Sequence, residues 1–223
     1  MPAGRVNWSA SVCAIVPVRG LATGKQRLAA ILSDAERHAL CSAMLEDVLD
    51  TLASFSKVVV VTSDAPAASV ARGRNVEVIP DRAEGLNASL ESARETMRRG
   101  RGFSRLLFVP ADLPGIAAAE LNRHILASPE TIIIAPGTDG GTNLLCCATE
   151  AHLPFAYGID SARRHVVLAE QAGLSVRVID MPAFALDIDN PCDLGLFSMR
   201  NIPSRTADLL ARLDPRLTRA WAP

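Results

Sequence analysis

Four consecutive valines, Val58–Val61, lie within the run Lys57-Val-Val-Val-Val-Thr62. A strand with no polar residue on either face must be covered on both, which is the situation of a parallel strand flanked by helices. Other strand-length apolar runs recur along the chain: Val12–Val18, Asn75–Pro80, Arg105–Pro110, Thr131–Ala135, Asn143–Ala148 and Ser175–Asp180. Between them fall helical stretches. One opens at the capping box Ser33-Asp-Ala-Glu36 and runs to about Ala53; Leu86–Arg99 is ended by Gly100; Ala117–Leu126, Ser161–Ala172 and Pro191–Ser198 follow. Strands alternating with helices predict an α/β, Rossmann-like fold: a mostly parallel sheet with helices on both faces.

Length and charge narrow the function classes. With 223 residues the chain reads as a single domain, 1–223. A formal charge of −1 and a pI of about 6.4 leave no global positive field for a nucleic-acid backbone or an anionic membrane. Any anion must be gripped locally. The five cysteines show no paired C-x-x-C spacing, which argues against a zinc site or a disulfide framework and for a reducing cytoplasm. No apolar run approaches the ~18–20 residues of a membrane helix, and Met1–Ser11 lacks the hydrophobic stretch of a signal peptide.

In open parallel sheets, ligands bind beyond the carboxyl ends of the strands. After the first strand comes Arg19-Gly-Leu-Ala-Thr-Gly-Lys-Gln-Arg-Leu28. Its glycines allow close backbone approach, and Lys25 and Arg27 supply charge to a polyphosphate, although a solvated basic loop would read the same way. It is neither a Walker A loop nor G-x-G-x-x-G, which argues against a P-loop ATPase and a dinucleotide dehydrogenase. The strand Arg105–Pro110 delivers Asp112 between Pro110 and Pro114, a carboxylate held with little freedom. It suits a magnesium ligand, or a cap for the helix after Pro114. In Leu186-Asp-Ile-Asp-Asn-Pro191, Asp187 and Asp189 project to one face if the backbone is extended. Such a like-charged pair asks for a cation between its members, unless both are simply exposed or Asp189 caps the Pro191 helix. Asn87 could read a base or ribose edge or cap its own helix. Asp139-Gly-Gly-Thr-Asn143 and Gly158-Ile-Asp-Ser161 offer amides and hydroxyls to a second, smaller phosphate, with Ser161 and His165 one helical turn apart on a shared face. Cys146 and Cys147 point to opposite faces of their strand and read as core filling.

Taken in order, these stretches resemble one family, the guanylyltransferases that activate a small phosphorylated three-carbon acid in biosynthesis of the deazaflavin coenzyme F-420. The matching segments are Ile15-Val-Pro-Val-Arg19, Gly24-Lys-Gln-Arg-Leu28 with Leu32-Ser33, Ala43-Met-Leu-Glu-Asp-Val48, Gly85-Leu-Asn87, Pro110-Ala-Asp-Leu-Pro114, Asp139-Gly-Gly-Thr-Asn143, Gly158 with Ser161 and His165, and Asp187-Ile-Asp189. Pro-Ala-Asp-Leu-Pro alone is also similar to molybdopterin nucleotidyltransferases. Arg19 stands where the family usually has Lys, Gln26 where it has Ser, and Ala162 where an aromatic follows Ser161.

The resemblance implies a GTP donor, Mg2+, and an acceptor such as phosphoenolpyruvate, 2-phospho-L-lactate or 3-phospho-D-glycerate, the product passing to a downstream transferase. It implies a nucleotide-binding half, 12–135, with Arg19, Lys25, Arg27 and Asn87, and an acceptor-binding half, 136–200, with Thr142, Asn143, Gly158 and Ser161. A tail helix would occupy 201–223. Asp112, Asp187 and Asp189 match the metal-binding acids; Lys25, Arg27 and Asp112 are the candidate catalytic residues. Another nucleotidyltransferase of this fold, or a non-catalytic nucleotide-binding domain, is the alternative. The oligomeric state is left open, a homodimer among the options.

Overall fold

The computed structural model describes residues 12–21, 24–99, 102–128 and 131–217. Gly100, expected to end a helix, and 218–223 of the expected tail lie outside them. Seven strands form one sheet: β1 (Val12–Pro17), β2 (Lys57–Thr62), β3 (Glu77–Pro80), β4 (Arg105–Phe108), β5 (Ile132–Pro136), β6 (Thr142–Ala148) and β7 (Val176–Val178). Their order is β3-β2-β1-β4-β6-β5-β7. Every described pairing is parallel except those of β6, which runs antiparallel to both β4 and β5. The valine run is buried from Val59 to Val61, in register with Ile15–Pro17 of β1.

The helices are α1 (Asp34–Leu52), α2 (Ala65–Gly73), α3 (Leu86–Arg98), α4 (Ala118–Ala127), α5 (Ser161–Gln171), α6 (Pro182–Ala185), α7 (Pro191–Met199) and α8 (Arg205–Leu217). They cover both faces of the sheet. Along β1 the side chains divide by period two: Val12, Ala14 and Val16 enter one core with α1, while Cys13 and Ile15 enter the other with Leu90, Ala93 and Met97 of α3. Cys146 and Cys147 divide the same way. Burial on both sides pushes their thiols up, to about 11 and about 12 respectively.

Local chemistry sets the boundaries. Ser33 accepts from the Glu36 amide and Glu36 returns a bond to the Ser33 amide, the expected capping box. Two helices have no counterpart in the sequence reading. The longer, α2, is capped by Asp64, whose side chain accepts from the Ala67 amide. The tail helix α8 is capped both locally and from outside: Ser204 accepts from the Ala207 amide at 3.1 Å, and Asp47 of α1 accepts from the amides of Arg205 and Thr206, both at 2.9 Å. Arg205 then lies against Glu46 and Asp50, fastening the last described element to the first helix.

Candidate active site

Chain order splits at β1, whose neighbours are β2 on one side and β4 on the other. The crevice beyond their carboxyl ends is where ligands bind in such sheets. A cleft of about 280 Å³ lies there, lined by Arg19, Leu86, Lys25, Asp112 and Asp189 among others. Gly24 is tightly enclosed in its wall. A Cβ at that position would stand 3.0 Å from the Gly20 carbonyl and 3.1 Å from the Cys41 sulfur. Lys25 follows in the left-handed region, φ 55°, which few non-glycine residues adopt, and starts a 3-10 turn over Gln26–Leu28.

The three acids come together from two segments 75 positions apart (187 − 112). Asp112 lies four residues after β4, and its carbonyl accepts from the Ile188 amide at 3.2 Å. Ile188 is fully buried, so it anchors the segment while Asp187 and Asp189 flank it. Carboxylate oxygens of Asp112, Asp187 and Asp189 all lie within 4.8 Å of one another. Neither Asp189 nor Asp112 caps the helix that follows it: Asn190 caps α7 in a box with Asp193, and the described start of α4 has no side-chain cap.

Lys25 sits among these charges. Its ammonium donates to Asp112 at 2.6 Å and to Asp189 at 2.5 Å, with its side chain only 10% exposed. Burial works to lower its pKa, yet the two carboxylates outweigh burial and hold it well above the ordinary lysine range. Among the described residues Asp187 has no such cation. Burial first and the Asp112 charge second push its carboxyl up, against the bond it accepts from Asn143 at 3.3 Å. The donor set fits a hard divalent cation: three carboxylates, no sulfur and no imidazole. Opposite oxygens around one magnesium are about 4 Å apart, so the 4.8 Å spread is within reach of a small side-chain rotation.

The other sequence candidates occupy a range of settings. Arg19 is exposed at the cleft mouth. Arg27 is 77% exposed, 3.9 Å from Asp189. Asn87 is turned toward the loop before α5: it accepts from the Tyr157 amide at 2.8 Å and donates to the Tyr157 carbonyl at 3.2 Å. It therefore does not cap α3, which begins at Leu86 after Gly85 with no side-chain cap. Asn143 reaches Asp187 and the Phe184 carbonyl with its side-chain nitrogen. Gly158 is exposed, with a φ of 128° that excludes a side chain without strain. Ser161 donates to Thr142 at 3.0 Å, and both are buried. The amide of Ser161, expected to face a phosphate, is bonded to the Gly158 carbonyl, and that of Ala162 to the Gly140 carbonyl.

Sequence reasoning missed what holds the loop 151–158 in place. Arg94 of α3, only 7% exposed, donates to the Leu153 carbonyl and stacks 4.7 Å over the Phe155 ring. His165 of α5, fully buried, accepts from the Ala156 amide at 2.9 Å and meets Thr142 at 2.9 Å. The shared face of Ser161 and His165 was the only signal for it.

The family described as guanylyl transferase CofC like matches residues 12–217. A phosphoenolpyruvate guanylyltransferase from Conexibacter woesei is 37% identical over 193 residues, covering 82% of this chain and 86% of its own length. A 3-phospho-D-glycerate guanylyltransferase from Phenylobacterium zucineum is 34% identical over 213 residues, covering 91% and 97%. Among solved structures, a candidate nucleotide-diphospho-sugar transferase from Desulfovibrio desulfuricans superposes with a TM-score of 0.82 at 18% identity, covering 95% of this chain and 98% of its own. At that identity the likeness shows the nucleotidyltransferase fold.

Proposed function

Since the chain belongs to the CofC-like guanylyl transferase family, we propose that it moves GMP from GTP to the phosphate of a small phosphorylated three-carbon acid. Phosphoenolpyruvate is the acceptor of choice, with 3-phospho-D-glycerate and 2-phospho-L-lactate the alternatives, and the product feeds formation of a deazaflavin coenzyme. The observation that carries this reading is the meeting of Asp112, Asp187 and Asp189 within 4.8 Å, with Lys25 between two of them, where Asp112, Asp189 and Lys25 line the cleft.

In the proposed reaction an acceptor phosphate oxygen attacks the α-phosphorus of GTP. A new P–O bond forms, the α–β bridge breaks, and diphosphate leaves with its electron pair. The attacking oxygen is already ionised near neutral pH, so no general base is needed. This agrees with a cleft whose charged lining is Arg19, Lys25, Asp112 and Asp189, and with a His165 that is buried outside that lining and bonded elsewhere. Magnesium held by Asp112, Asp187 and Asp189 would neutralise phosphate charge. Lys25 and Arg27 provide the positive charge for the departing diphosphate, and Arg19 stands at the entrance.

The test is diphosphate release from purified protein given GTP, Mg2+ and each of the three acids in turn. Release with one of them is expected. Asp112→Asn should cut that turnover by about 10²-fold or more, the usual cost of removing an electrostatic stabiliser. Silence with all three acids removes the assignment, and an Asp112→Asn protein of wild-type activity removes the aspartate's role in it.

A further inference from the structure

Three polar side chains meet at the start of α5, and counting their protons gives them a role. The imidazole of His165 is fully buried, with both ring nitrogens engaged. At Nε2 the partner is the backbone amide of Ala156, at 2.9 Å. An amide can only donate, so Nε2 carries no proton. Burial, with the nearby Arg164 charge, outweighs a bond to the Ser161 backbone and lowers the ring's pKa to about 4, so the ring is neutral at working pH and its single proton is on Nδ1. At Nδ1 the partner is Thr142 Oγ1, at 2.9 Å, which therefore accepts.

Thr142 and Ser161 bring two hydroxyl protons of their own. The bond between them, 3.0 Å long, uses one. With His165 donating into the pair, the second hydroxyl proton has no obligation among these three groups. In the other tautomer Thr142 would have to donate to Nδ1 and Ser161 to Thr142, and the pair would have no proton to give. We propose that His165 is a positioning residue: fixed in its Nδ1–H tautomer by the Ala156 amide, it keeps the Thr142–Ser161 pair a hydrogen-bond donor to an anionic group of the acceptor. This rests on the acceptor-binding reading of Thr142 and Ser161 given above.

The geometry ties the device to the site. Thr142 opens β6 beside Asn143, whose side chain holds Asp187. Ala156 belongs to the loop that Asn87 and Arg94 of α3 fasten at Tyr157 and Leu153. The tautomer is thus set by a segment anchored on the other half of the sheet.

Two measurements test the proposal. Nitrogen-15 NMR of the histidine rings in the full-length wild-type protein should find His165 neutral, with its proton on Nδ1, from pH 6 to 8; a proton on Nε2 overturns the proposal. Asn and Gln substitutions separate the two ring nitrogens, because an Asn amide falls near Nδ1 and a Gln amide near Nε2. His165→Asn retains a donor toward Thr142 and should hold the acceptor KM within about threefold, at some loss of stability. His165→Gln retains the acceptor for Ala156 but not the donor, and should raise the acceptor KM about tenfold while leaving the KM for GTP unchanged. An unchanged acceptor KM in His165→Gln, or equal rises in both KM values, overturns the positioning role. The spectrum does not depend on turnover, so inactivity of the wild type with every acid would count against the proposed function and not against the tautomer.

Discussion

At Lys25 the backbone and the charge make opposite demands. A left-handed φ of 55° is unfavourable for a lysine, yet it turns the ammonium inward to two carboxylates. The ammonium thus stands in for positive charge that a divalent cation would otherwise bring. Lys25→Met should therefore bind Mn2+ more tightly than wild type in the absence of nucleotide, by several-fold in a calorimetric titration, while losing turnover. Weaker Mn2+ binding would show that Lys25 assists the cation instead of competing with it. At His165 the consequence is a pH dependence of stability. Its pKa is lowered from 6.5 to about 4 on folding, so it favours the native state above pH 6.5 and loses that contribution as pH falls toward 4. Thermal melts of His165→Asn should show a flatter decline across that window than wild type. The sequence exposed Asp112 through its flanking prolines, but the partners of Lys25 lie 87 and 164 positions away and carry no local mark.

Among the elements, α8 depends most visibly on a distant residue. Its first two amides have Asp47 of α1 as their acceptor, while Ser204 just before the helix takes the Ala207 amide. Asp47→Ala should cost about 1–2 kcal/mol, the usual range for a lost cap, and lower Tm by roughly 2–8 °C for a chain of this size. A melt unchanged from wild type would place the stability of α8 in its apolar contacts alone. Elements whose signal is local were legible: the capping box of α1, the valines of β2, the Pro191 start of α7. The helix α2 was not, because nine residues ending in Arg-Gly offer little periodicity, although Asp64 and Pro66 mark its start. The direction of β6 was equally hidden. A fully buried apolar run has the same pattern whichever way it runs, and only its pairing with β4 and β5 reveals that it is reversed.

Across the whole molecule, two cores lie on opposite faces of one seven-stranded sheet, and both draw on β1, β4, β5 and β6. The nucleotide-binding and acceptor-binding halves expected from the sequence are therefore joined by strand pairing as well as by the loop 151–158. Calorimetry should give one transition whose van't Hoff and calorimetric enthalpies agree, since neither half can lose its strands without exposing the other. Two resolved transitions would restore the division at residue 136. Alternation of strands and helices was enough to read the architecture, because covering both faces of a parallel sheet leaves a mark on nearly every segment. Strand order left no such mark.

The reversal of β6 also bears on how such a catalyst could be retailored. Most of the crevice is reached where strands finish, but Thr142 and Asn143 arrive where one begins, just after the short turn 137–141. Lengthening or reshaping that turn would move the wall that the proposed function assigns to the acid and leave the loop after β1 untouched. On the proposed function, acceptor choice and donor choice are thus written in separate stretches of chain, free to drift at different rates in descent or to be exchanged one at a time at the bench.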